Sequence, residues 1–199
     1  MFLFREPGTA DVRDYLNDRT LADFNYKEIG ASNGRRPQGY NIDRHRIELG
    51  RGVETFERAK KAIRDWRQFS LLWVRLCWPF KKIQVGVSVA VLAHHWGLWS
   101  MNSARIAFVI DEPRRFGFGY GTVSDHMMHG EERFLVEWRD DDSVWYEISA
   151  FSRPGHWLLW TMYPLTRMRQ TRFAKESCHA MALAAAEGPV RANRKVVSG

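Results

Sequence analysis

A chain of 199 residues suits one domain, or one domain with an extension, and its 45% hydrophobic content is enough for a real core. The formal net charge of +7 comes from scattered arginines and lysines with no run of five, so it reads as a solvated basic surface. No apolar run is long enough to span a bilayer, and no RNP, helix-turn-helix or zinc motif marks a nucleic-acid binder, so nucleic acid is not expected as a partner.

The opening Met-Phe-Leu-Phe-Arg-Glu-Pro lacks the charged segment and sustained apolar stretch of a secretory signal, which makes the cytoplasm the expected compartment. Cys77 and Cys178 have no C-x-x-C neighbour and read as reduced core fillers. Nine Trp and twelve Phe suggest a core or cavity lined with large flat side chains.

Residues 1–39 carry little periodicity, and 30–39 are rich in turn formers, so this part reads as a partly irregular extension. Residues 40–187 form the expected single domain, and 188–199 a loose basic tail. The first strand spans 40–49. A helix follows, with Val53, Phe56, Ala59, Ile63 and Trp66 at helical spacing. Residues 71–80 are apolar and aromatic. From Ile83 the period becomes two, through Val85, Val87, Val89 and Val91.

A turn is expected at His94-His95, then strands over 96–102 and 105–110. Next comes Phe116-Gly-Phe-Gly-Tyr-Gly-Thr122. In a strand its aromatics share one face and its glycines the other. A bare glycine face fits either a sharply curved sheet or a floor that a ligand or helix approaches closely. A loop over 124–130 precedes a hairpin of 132–139 and 143–151. From Pro154 the pattern is helical to 186, with Pro164 expected to kink or divide it.

Strands segregated from helices argue for an α+β fold. The order predicts a curved antiparallel sheet of about seven strands gripping a long C-terminal helix.

Several polar groups are candidates for chemistry. His126 and His129, with Asp125, Glu131 and Glu132, form the best polar cluster, but they fall in a loop without a further ligand set, so no metal is expected. His126 alone suits a general base or a ligand hydrogen bond. Alternation puts Glu131 and Glu132 on opposite faces, so they are no paired acid and base; one of them faces any cavity. Glu147 shares a face with Trp145, Ser149 and Phe151, and is either a carboxylate paired with an arginine or a catalytic group. Arg153 at the strand-to-helix junction either braces it or receives an anionic head. Trp157, Trp160, Met162 and Tyr163 form core, a cavity mouth or a contact with a membrane surface.

Gly117-Phe-Gly-Tyr-Gly-Thr122, His126, Gly130-Glu-Glu-Arg-Phe134, Ser143-Val-Trp-Tyr-Glu147 and Phe151-Ser-Arg-Pro154 closely resemble the bacterial and plant family called domain of unknown function nineteen-ninety. The likeness continues through Tyr163, Arg167, Gln170 and Phe173, and upstream through Pro37-Gln-Gly-Tyr40 and Gly50-Arg-Gly52, covering about residues 24–186. The element order separately resembles the helix-grip fold of START and polyketide-cyclase-like proteins.

That resemblance implies a cavity between sheet and helix for a hydrophobic small molecule or lipid. Tyr120, Trp145, Tyr146 and Trp157 are expected to line it, with His126, Glu147 and Arg153 at its polar end. No cofactor is expected. The alternatives are an enzyme using the same pocket, with His126 or Glu147 as acid or base, and a basic adaptor at a membrane surface or nucleic acid.

Overall fold

The computed structural model describes residues 2–19, 21–35, 37–77, 82–95, 97–124, 126, 128–155 and 163–186. In chain order the elements are β1 (Phe2–Leu3), α1 (Thr9–Asn17), β2 (Asn41–Arg51), α2 (Gly52–Arg64) and a 3₁₀ turn (Arg67–Phe69). Then follow β3 (Val74–Cys77), β4 (Ser88–His95), β5 (Leu98–Glu112), β6 (Arg115–Thr122), β7 (Met128–Trp138), β8 (Ser143–Pro154) and α3 (Tyr163–Ala186). Seven strands run antiparallel in the order β2-β8-β7-β6-β5-β4-β3, and β1 pairs with β5. The sheet is curved, and α2 and α3 lie on its concave face. This is the expected α+β helix-grip architecture.

Alternation decides the faces. Phe116, Phe118 and Tyr120 of β6 stand opposite Val136, Phe134 and Glu132 of β7, and these pair onward with Tyr146, Ile148 and Ala150 of β8. All of these positions share the concave face. Phe56, Ala59, Ala62 and Ile63 of α2 and Ala174, Cys178, Met181 and Ala185 of α3 bury themselves against this face. Their spacing of three and four residues marks one stripe on each helix. On the edge strand β2, Arg44, Arg46 and Glu48 point outward and exposed, a charged rim that discourages edge-to-edge pairing.

The glycines of β6 lie on the convex face, and they are not a ligand floor. A Cβ on Gly119 would sit 2.3 Å from the Phe108 ring, and one on Gly121 only 1.9 Å from the Tyr26 hydroxyl. Glycine is needed here because another side chain of the same chain occupies the space. The N-terminal segment supplies Tyr26. Its hydroxyl and the backbone N–H groups of Gly30 and Ser32 all donate to the Glu131 carboxylate, at 2.8, 2.8 and 2.9 Å. Further along, Val12 and Leu16 of α1 pack on Ala90, Leu92 and Met101. The described residues before β2 therefore cover the back of the sheet and leave its concave face to the helices.

Three local expectations change. Residues 9–17 form a helix although only Val12 and Leu16 mark its buried side. His94 and His95 belong to β4, and the reversal comes at Gly97, whose φ of +79° suits a tight turn. The two strands expected over 96–102 and 105–110 are one strand, β5, with an irregularity between Ile106 and Phe108 that keeps it paired. Pro164 is the second described residue of α3, and residues 156–162, on which its expected kink also rests, lie outside the described residues. Among the described residues no helix is long and apolar enough to cross a membrane.

Candidate functional site

Inward-facing side chains shrink toward one end of the concave face. Along β6 they run Phe116, Phe118, Tyr120, Thr122. Along β7 they run Val136, Phe134, Glu132, Gly130, and along β8 Val144, Tyr146, Ile148, Ala150, Ser152. On β5 the same ladder passes from Ile106 through Ala104 and Asn102 to Ser100. At the large end, rings and branched chains meet α2 and the second half of α3 and fill the space. At the small end they cannot reach the helix. A cavity of about 310 Å³ remains, roofed by Thr166, Arg169, Gln170 and Phe173 from the first half of α3.

Polar bonds hold that roof in place. Arg167 makes a two-pronged ion pair with Asp43 of β2 and donates to the Gln170 side-chain Oε1 at 2.8 Å. Gln170 in turn donates to the Ser152 hydroxyl of β8 at 3.2 Å. The start of α3 is thereby tied to two strands at the small end, where apolar packing is thin.

Within the cavity wall, the Tyr120 hydroxyl donates to Glu132 Oε2 at 2.8 Å. Burial pushes the Glu132 carboxyl up to about 7; the nearby Asp43 carboxylate adds to the rise, and the Tyr120 bond opposes it. Burial also drives the Tyr120 hydroxyl well above its ordinary value, with the Glu132 charge contributing, so tyrosine is the donor in this pair. His95 packs against Trp73 with ring centroids 5.0 Å apart and planes tilted by 48°, and lines the far side. Burial, then the charges of Arg169 and Arg172, lower its pKa to about 4.

Of the seven residues expected at the cavity, Tyr120 and His126 line it, and so do Glu131 and Glu132 of the polar cluster. His126 sits between β6 and β7, and burial lowers its pKa to about 4. Its Nδ1 lies 3.0 Å from the backbone nitrogen and 2.9 Å from the carbonyl oxygen of Met128, so that edge of the ring braces the loop. Asn25 holds the same loop from behind through the carbonyls of His126 and Met128, both at 3.3 Å. Tyr146 is on the concave face but at the filled end, with its hydroxyl 2.8 Å from Ser177 of α3.

Trp145, Glu147 and Arg153, expected at the cavity, stand on the convex face. Tyr146 and Ile148 point inward, so the odd positions of β8 point out. Glu147 is a buried ion pair: Arg133 donates to it at 2.5 Å and Arg44 at 2.7 Å. Trp145 lies under Arg46 and Arg139, and Arg153 stacks on Tyr40 at 4.6 Å. Trp157 lies outside the described residues, as do Trp160, Met162 and Asp125. Sequence reasoning did not place Gln170 or His95 at the site, and it named Glu132 only as one of a pair of which one faces any cavity. Glu132 had a readable signal, since one of Glu131 and Glu132 must face inward and Tyr120 fixes which once β6 and β7 are paired.

A curved antiparallel sheet closed by a terminal helix, with a hollow between them, defines a helix-grip protein. Ara h 8.0201 has this fold at a TM-score of 0.50 and 14% identity, over 74% of this chain and 98% of its own, a likeness of fold alone. The family model for "Domain of unknown function (DUF1990)" matches residues 25–180, and the chain belongs to that family. It is 36% identical to a UPF0548 protein of Dictyostelium discoideum, over 91% of this chain and 94% of the relative. A UPF0548 protein of Deinococcus radiodurans is 34% identical, over 93% and 99%.

Proposed function

We propose that the protein binds a hydrophobic small molecule in the cavity between the sheet and the first half of α3. The observation that carries this reading is the gradient of inward side chains. The chain fills one end of its concave face with rings and leaves about 310 Å³ at the other. Natural interiors are close-packed, and a hollow of this size in a protein otherwise rich in large aromatics reads as room for something. Its wall is mainly apolar, with a few polar groups spaced along it, which is the usual composition of a small-molecule site.

The test is native mass spectrometry of the protein purified gently from its own host, followed by denaturing extraction. A stoichiometric apolar adduct supports the reading and gives the ligand class. A protein that stays free of adduct, and that takes up no apolar compound on incubation, contradicts it.

One observation favours a second reading, an enzyme in the same pocket. The Glu132 carboxyl, raised to about 7 beside Tyr120, can both hold and release a proton near neutrality. Glu132 replaces His126 and Glu147 as the preferred acid–base group, because Glu147 is neutralised by two arginines behind the sheet. Under this reading Glu132→Gln abolishes turnover while binding survives. If turnover survives as well, the reading fails.

A further inference from the structure

Glu132 projects from β7 between Tyr120 on β6 and Ala150 on β8. Its hydrogen-bond partner among the described residues is Tyr120, which donates to Oε2. Oε1 has none there, although a carboxyl group offers about four bonding positions. Ala150 beside it brings no polar atom, and both line the cavity. Oε1 is not among the buried atoms left without a partner, so it opens onto the hollow, where a ligand atom can bond it in place of water.

The surroundings narrow the chemistry of that atom. A ligand carboxylate or phosphate placed at Oε1 meets the Glu132 carboxyl, with Asp43 close enough to raise its pKa further. A cationic head meets Arg169 in the roof of the same cavity. A plain hydrocarbon leaves Oε1 unsatisfied. A hydroxyl is uncharged, and it can donate to an ionised carboxyl or accept from a neutral one. It therefore suits a group that exchanges its proton near neutrality. A volume of about 310 Å³ is at the low end for small-molecule sites, so the apolar remainder is small.

We propose that Glu132, braced by Tyr120, anchors the hydroxyl group of an uncharged and otherwise apolar ligand, and that it rejects the carboxylic acid of the same shape. This rests on the binding reading above and adds its selectivity.

The experiment is calorimetric titration at neutral pH of octan-1-ol and of octanoate into the whole protein. Wild type, Glu132→Gln and Glu132→Leu are compared, with folding checked by circular dichroism. Wild type is expected to bind octan-1-ol at least about tenfold tighter than octanoate. Glu132→Gln keeps the alcohol within about threefold, because an amide both donates and accepts, and gains about tenfold for octanoate. Glu132→Leu loses about tenfold for the alcohol.

Equal or tighter binding of octanoate by wild type overturns the selectivity and leaves the binding reading standing. So does a wild-type preference that both substitutions leave unchanged. Binding of neither compound by wild type overturns the inference together with the reading beneath it.

Discussion

The two ends of the concave face share strands, helix and curvature, yet one is solid and the other hollow. At the solid end Phe118, Phe134, Val136, Tyr146 and Ile148 are almost wholly buried against Phe56, Ile63 and Met181. At the hollow end Thr122, Gly130, Ala150 and Ser152 occupy the same faces two to four residues further along the same strands. The backbone does not make the cavity. Side-chain volume does, one strand position at a time. The solid end holds the sheet to the helices, and Asp43–Arg167 and Ser152–Gln170 take over that work where packing stops.

The largest effects test this division. Phe118→Ala or Phe134→Ala should cost about 3–5 kcal/mol, because each empties a packed site. Ala150→Leu at the hollow end should change stability by less than about 1.5 kcal/mol while abolishing ligand uptake. Chemical denaturation of the three variants checks the stabilities, and native mass spectrometry of Ala150→Leu checks the uptake. A cost for Ala150→Leu as large as that of the phenylalanine truncations breaks the comparison.

Glu132→Gln comes next, and its sign depends on pH. The carboxyl ionises near 4.5 when unfolded and at about 7 in the fold. Its destabilising effect is absent below the unfolded value, grows as pH rises through that window, and is complete above about 7. The variant should match wild type near pH 4 and exceed it by about 3 kcal/mol near pH 8. His95 and His126 act oppositely, since both are lowered to about 4 and lose their contribution as pH falls below the ordinary histidine range. Their contribution cancels when variant and wild type are compared at one pH. A stability difference that does not change between pH 4 and 8 removes the argument for a strained carboxyl.

On the convex face Gly121→Ala should cost about 1–3 kcal/mol, because the new methyl group meets the Tyr26 hydroxyl. Amide exchange should then speed up at Gly30 and Ser32, whose N–H groups share Glu131 with Tyr26. The smallest effect is expected at Gln68, fully buried beside the solid end with both amide atoms lacking a partner among the described residues. Gln68→Leu should stabilise by about 1 kcal/mol.

The sequence already showed the sheet, the long terminal helix and the small and large faces of β6. Period two over Ile83–Val91 announced β4, although the strand itself begins only at Ser88, after the turn at Gly86. What it could not show is which face turned inward, because both faces of β8 carry aromatics: Tyr146 on one, Trp145 and Phe151 on the other. Glu147 was misplaced for that reason. The size gradient was present in β5, β6, β7 and β8, but it becomes a cavity only once register lines up their small residues. The α1 helix was missed because nine residues with two buried positions carry too little periodicity.

The most direct test of the account is methyl NMR of the whole protein titrated with octan-1-ol. Val91, Ala93, Ala104 and Ala150 at the hollow end are predicted to shift together and saturate, while Val136, Val144 and Ile148 at the solid end hold still. Shifts confined to exposed methyls such as Leu72 and Leu183, with the hollow end silent, would contradict the claim that the cavity is a binding site.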